Sequence, residues 1–138
     1  MRTPTTFALC VAGDCPRAAH CLRRQALLQM DGARRDVIMT INPVGLAIGY
    51  DCPHYKSAER IRMAAGFSSA LCALPHGCVN AVKGEITKRF CLRNYYHLRR
   101  GDRPMTPTEQ AFVADILERH GAPSPVRFDR YYDDYDWD

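Results

Sequence analysis

Apolar residues follow two different periods along this chain, and the period changes near residue 70. Before that point, short runs rich in β-branched residues, or alternating apolar and small residues, predict strands. These strands cover 5–11, 36–42 and 46–50, and a weaker alternation adds another over 61–65. A turn signal at 42–45 favours a hairpin between the second and third runs. The pattern therefore predicts a small antiparallel sheet in the N-terminal half.

One helix is predicted between the first two strands. Asp14 is a good N-cap residue, and Pro16 fits a first helical turn because its missing N–H costs nothing there. We expect this helix to begin at Asp14 or Cys15 and to end near Met30, before the stop signal at 31–32.

The second half of the chain has helical periodicity. Apolar residues spaced by three and four predict a helix over 78–91, and a shorter helix is predicted over 93–100 before Gly101. Thr106-Pro107-Thr108-Glu109 has the sequence of a capping box, which predicts a further helix ending near Gly121. The apolar positions of the first of these helices are Val79, Val82, Ile86 and Phe90.

These elements predict an α+β fold with a small antiparallel sheet in the N-terminal half and a helical C-terminal half. The chain has 138 residues, which is the usual length of one domain. We therefore expect a single domain over 1–127 and an acidic-aromatic C-terminal arm over 128–138.

Charge is unevenly distributed along the chain. The formal net charge is +4, but 128–138 contains five aspartates against one arginine, so the body of the chain is more basic than the total indicates. A basic body favours an acidic partner such as nucleic acid, and the alternative is that these charges only keep the protein in solution. No apolar run approaches the ~18 residues of a membrane span, and no export signal is visible. We expect a cytoplasmic protein that has no membrane partner.

Cysteines are concentrated near the N-terminus. The chain has seven, an odd number that argues against a full disulfide framework. Zinc prefers four thiolate or imidazole ligands in a tetrahedron, so a structural zinc is one hypothesis, although no Cys-x2-Cys pair is present. Buried thiols are the alternative. The predicted metal ligands are Cys10, Cys15, Cys21 and Cys52, with His54 nearby.

Catalytic patterns are not recognisable in the sequence. There is no phosphate-binding glycine loop, nucleophile elbow or paired-carboxylate motif, so we lean towards a protein that is not an enzyme. The remaining enzymatic hypothesis is a thiol enzyme that uses Cys15 or Cys52 with His54, because a Cys–His pair can activate a nucleophile.

A basic segment spans 83–103, with seven Lys or Arg residues against two acidic ones. Its layout of helix, tight break, short helix and third helix resembles a helix-turn-helix unit, in which the short helix would contact DNA. We therefore predict a nucleic-acid-binding or regulatory protein. A purely structural helical layer is the alternative. The predicted contact residues are Arg93, Asn94, Tyr95, Arg99, Arg100 and Arg103.

The C-terminal arm over 128–138 suggests another alternative, a protein-interaction adaptor. Its aromatic rings would anchor a protein partner and its carboxylates would complement basic charge, or the arm would fold back on the basic helix and compete with DNA. We expect at least Phe128 and Trp137 to pack on the domain, because exposed Trp is rare.

The chain also resembles a family of small proteins of unknown function from gut Bacteroidales over nearly its whole length. The similarity implies no catalytic residues, but it implies that the block from Tyr95 to Gln110 and the C-terminal arm belong to one domain. It rests on Cys52-Pro53-His54-Tyr55, Arg62-x3-Gly66-Phe67, Leu74-Pro75, Tyr95-Tyr96-x2-Arg99-Arg100-Gly101-x-Arg103-Pro104-Met105-x-Pro107-x-Glu109-Gln110, and Phe128-Asp129-x-Tyr131 with Tyr135-x-Trp137.

Overall fold

A computed structural model describes residues 3–30, 32, 36–42, 44–45 and 49–138. The chain divides into two compact units. The first contains residues 1–60 and 135–138, and the second contains residues 61–134. Among the described residues, no helix has both the length and the apolar content needed to cross a bilayer.

In its described residues, the first unit has little regular secondary structure. Its described helical elements include a short 3-10 turn, Ala18–His20, and helix α1, Leu22–Leu28. A small core forms where Phe7 and Leu9 pack with Leu22 and Ala26. Trp137 packs edge-on against Phe7, with 5.0 Å between the ring centroids. The end of the chain therefore takes part in this core.

The second unit contains a two-stranded antiparallel sheet and three helices. Strand β1 pairs with β2 so that Ile61 lies opposite Asp134 and Ala65 lies opposite Arg130. The opposite edge of β1 is also bonded, because Ala64 and Met105 exchange backbone hydrogen bonds of 3.1 and 2.7 Å. The elements, in chain order, are β1 (Ile61–Ala65), α2 (Ser68–Cys72), α3 (Cys78–Arg100), α4 (Pro107–Arg119) and β2 (Arg130–Asp134).

Helix α3 is interrupted at Cys91, where the backbone has φ 59° and ψ 165°. This backbone conformation separates a proximal segment, 78–90, from a distal segment, 92–100. Val82 and Ile86 of the proximal segment and Leu98 of the distal segment are fully buried, so both segments contribute to the core. Gly101 ends the helix at φ 80°, a left-handed conformation that favours glycine.

Helix α4 begins with the predicted capping box. The Thr106 side chain accepts a hydrogen bond from the Glu109 backbone N–H, and the Glu109 carboxylate accepts one from the Thr106 N–H at 3.1 Å. At the other end of α4, Arg119 and His120 bond the Glu85 carboxylate of α3 at 2.8 and 2.6 Å. These bonds hold α4 against α3.

The α+β class is confirmed, as are the helices over the second half and the strand over 61–65. The predicted strand over 5–11 is wrong, because only Leu9 in that run pairs, through a single parallel bridge to Thr40. The strand over 36–42 is likewise reduced to that bridge, and the hairpin over 46–50 lies largely outside the described residues. The first helix starts later than predicted, at Leu22.

Candidate functional site

The distal segment of α3 presents a polar face that contains both cations and an aromatic ring. Arg93, Tyr96, His97 and Arg100 have the spacing i, i+3, i+4 and i+7, which places them on one side of a helix. Arg93, Tyr96 and Arg100 are exposed, whereas Tyr95 and Leu98 on the opposite side are buried. We call these four residues the distal face.

Lys83 extends the distal face across the break at Cys91. Its Nζ donates a 2.8 Å hydrogen bond to the Tyr96 hydroxyl and lies 5.0 Å from the centre of the Tyr96 ring. This hydrogen bond, together with the charge of Lys83, lowers the pKa of Tyr96. The ring is therefore held in place by a cation, and 36% of the residue remains exposed.

The cations of the distal face differ in how they are paired. The Arg100 guanidinium bonds Asp102, with 2.9 Å from Nη2 to Oδ2, and His97 Nδ1 lies 3.4 Å from the same oxygen. The hydrogen bond from Arg100 lowers the pKa of Asp102, so this carboxylate stays charged near neutral pH. Among the residues that the structure describes, Arg93 makes no ion pair with a carboxylate. Arg93 is thus available to bind an anion.

The six residues predicted for nucleic-acid contact do not share one surface. Arg93 and Arg100 lie on the distal face, and Asn94 lies half-buried beside it. Tyr95 is 1% exposed and packs edge-on against Phe67 in the core, and burial raises its pKa. We therefore leave Tyr95 out of the interface.

The other two predicted residues lie away from the distal face. Arg99 lines a groove beside α2 together with Asn80. Arg103 is only 28% exposed and pairs with Glu109 at 2.8 Å, close to the α4 capping box. The positions of Arg99 and Arg103 favour roles in holding the fold together over contact with nucleic acid.

Three residues of the site, Tyr96, His97 and Lys83, were missed in the sequence. Tyr96 was recognisable in principle, because it stands three residues after Arg93 and so shares its helix face. Lys83 lies 13 residues before Tyr96 and approaches it only because α3 bends at Cys91. No linear spacing signals that approach.

The four predicted metal ligands, by contrast, come together. Cys10, Cys15, Cys21 and Cys52 line one cavity of about 20 Å³ in the first unit, together with His54. All four are free thiols, and only Cys21 is buried. Among the described residues, however, no three His, Cys, Asp or Glu side chains are placed closely enough to hold a metal ion as they stand.

Comparison with models of protein families finds a match over residues 1–137, to a family described as of unknown function (DUF6078). No curated protein and no solved structure matches the chain.

Proposed function

Because the chain belongs to the family of unknown function DUF6078, which implies no activity, we propose from its own surface that it is a nucleic-acid-binding or regulatory protein. The observation that supports this proposal is the distal face, where exposed arginines flank an exposed tyrosine on a single helical segment. Arginine binds phosphate through two parallel N–H donors, and an aromatic ring stacks on bases.

The distal face offers two arginines to a nucleic-acid backbone. Arg93 and Arg100 are seven residues apart, a rise of about 10.5 Å along an α-helix. We expect their guanidinium groups to contact different phosphates. Tyr96 lies between the two arginines, where a base would approach. A helix-turn-helix mode of docking stays a prediction.

The adaptor alternative is less well supported, since the Phe128 and Trp137 rings of the C-terminal arm are engaged, although Tyr131 and Tyr132 are exposed. Phe128 is 8% exposed and belongs to the core of the second unit. Trp137 packs on Phe7 in the first unit, and Asp136 pairs with Lys56 at 2.8 Å. Packing of Phe128 and Trp137 was predicted and is confirmed. A cytoplasmic location stays a prediction.

Fluorescence anisotropy across a salt series tests the proposal with labelled duplex DNA, single-stranded DNA and RNA. We expect Arg93→Glu to weaken binding and to reduce the slope of log K against log salt by about one. We expect Tyr96→Ala to weaken single-stranded binding by about 1–3 kcal/mol with the slope unchanged, because stacking releases no counterions.

Arg127→Glu is the matched control, since Arg127 is exposed and lies outside α3. It makes the same change of charge, and we expect it to leave the slope unchanged. Absence of binding at low salt would overturn the proposal. Equal losses in Arg93→Glu and Arg127→Glu would show that only net charge matters, which would also contradict a defined interface.

A further inference from the structure

We propose that Cys10, Cys15, Cys21 and Cys52 bind a single structural zinc ion that holds the first unit together. The observation is that these four thiols, drawn from 43 positions of chain, all line the same small cavity. This site is independent of the nucleic-acid interface, so either proposal can fail without the other.

The place where helix α1 begins allows Cys15 and Cys21 to face the same cavity. Two cysteines six residues apart within one helix would project from nearly opposite faces. Helix α1, however, begins at Leu22. Cys21 is its N-cap residue, and Cys15 lies before the 3-10 turn at Ala18–His20. Neither thiol is fixed in a helix interior, so both can face the cavity.

Backbone hydrogen bonds position each of the four cysteines. The Cys10 N–H donates to the Arg23 carbonyl at 3.2 Å, which joins the first segment to α1. The carbonyls of the other three accept bonds from residues three or four positions further on, as in tight turns and helix starts. These acceptors are Cys15 for Ala18 N–H at 2.9 Å, Cys21 for Gln25 N–H at 2.9 Å, and Cys52 for Tyr55 N–H at 3.2 Å.

Two arginines that line the cavity fasten the surrounding segments together. Arg23 donates from Nε to the His54 carbonyl at 2.8 Å and from Nη1 to the Ala8 carbonyl at 2.7 Å. Arg17 donates to the Tyr50 carbonyl at 2.6 Å, and its guanidinium lies 3.1 Å from the centre of the Tyr55 ring. A zinc ion with four thiolates carries a charge of −2, which two adjacent guanidinium groups would neutralise.

The small core of the first unit favours a metal over four inert thiols. Its described hydrophobic core cluster has four buried members, Phe7, Leu9, Leu22 and Ala26, and its described residues form no strand beyond isolated bridges. Small units with a small core often add a disulfide or a metal to it. The thiols are free, and a cavity of about 20 Å³ has room for one small ion.

Zinc binding requires the four sulfur atoms to converge, since no three potential ligands are close enough among the described residues. Each Sγ must come within about 2.3 Å of the ion. The proposal therefore requires the cysteine side chains to rotate, and the turns that carry them to shift, when the ion binds. His54 also lines the cavity and would be the fourth ligand if one thiol does not reach the ion.

Metal analysis and alkylation of the full-length protein test the site. Protein purified under reducing conditions is expected to retain about one zinc per chain, and Co²⁺ in its place is expected to show the absorption of tetrahedral thiolate coordination. Mass spectrometry after alkylation should find the four N-terminal thiols protected with zinc and reactive after chelation. Cys72 and Cys91 are exposed, so they should react in both states.

Cys52→Ser should weaken zinc binding by about tenfold or more, while Cys72→Ser, the matched control in the second unit, should not. If Cys52→Ser does not fold, alkylation of the wild-type protein with and without zinc still tests whether the four thiols bind the ion. The proposal is overturned if added zinc protects none of the four thiols, if Cys72→Ser loses as much zinc as Cys52→Ser, or if disulfides among the four replace zinc uptake.

Discussion

Removal of the Asp129 carboxylate should loosen the attachment of the C-terminal arm to the second unit. Asp129 lies just before β2, and its two carboxylate oxygens accept hydrogen bonds from the N–H groups of Ser68 and Ser69 at 2.9 and 3.1 Å. Its own N–H donates to the Gly66 carbonyl at 2.9 Å. The side chain therefore caps α2 from a position about 60 residues later in the chain.

The magnitude follows from the two hydrogen bonds. Loss of an N-cap side chain costs about 0.5–2 kcal/mol, and hydrogen bonds to charged acceptors lie at the upper end of such effects. Because Asp129 is exposed to solvent, the charge contributes less than it would in the interior. We expect Asp129→Ala to lower the free energy of unfolding by about 1–2 kcal/mol, and Asp129→Asn, which keeps one acceptor oxygen, by about half as much.

Urea unfolding monitored by circular dichroism is the assay. Asp115→Ala is the control. Among the described residues, this exposed aspartate forms only an i,i+4 ion pair with Arg119, for which we expect a loss below about 0.5 kcal/mol. A loss for Asp129→Ala no larger than that for Asp115→Ala would refute the reasoning.

The same cap should make stability depend on pH. Burial tends to raise the pKa of Asp129, but hydrogen bonds from Ser69 and Ser68 outweigh it, and the pKa of Asp129 is lowered. A carboxylate with a lowered pKa in the folded state contributes stability above its unfolded pKa of about 3.9, and the contribution is lost as the pH falls through the folded pKa. The difference between wild type and Asp129→Ala should therefore narrow below about pH 4.

Two further substitutions test the local geometry of the second unit. Thr106→Ala should lower the free energy of unfolding by about 1 kcal/mol, since it removes one side of the capping box; an unchanged urea midpoint would contradict the assigned cap. Gly66→Ala should cost more than about 1 kcal/mol, because Gly66 has φ +80° and an added Cβ would lie 2.6 Å from Asp129 Oδ2. Combining Gly66→Ala with Asp129→Ala should relieve part of that loss, whereas additive losses would show that the contact is unimportant.

Features set by neighbouring residues were predictable from the sequence. The capping box at Thr106 depends on residues within one helical turn and is present. A break near Cys91 is also present. The pairing of β1 with β2 was not predictable, because Ile61 and Asp134 are 73 positions apart and neither strand has a marked pattern. The run over 36–42 has strong β-branched character, yet among its described residues only one isolated bridge forms, between Thr40 and Leu9. Strand propensity without such a partner does not make a sheet.

The candidate sites, like the fold, were only partly predictable from the sequence. Arg93 and Arg100 were identified because basic residues are visible in the sequence, but the burial of Tyr95 depends on its contact with Phe67. The sequence allowed the four N-terminal thiols to cluster but did not require it. Their shared cavity results from bonds such as those from Arg23 to the carbonyls of His54 and Ala8.

NMR of the backbone amides can show, residue by residue, whether the distal face of α3 binds nucleic acid. The ¹⁵N-labelled protein is titrated with a short single-stranded oligonucleotide at low salt. We expect chemical-shift changes concentrated at residues 92–101 and around Lys83, and we expect them to disappear when salt is raised. Changes confined to residues outside α3, or no changes at all, would contradict binding at this face.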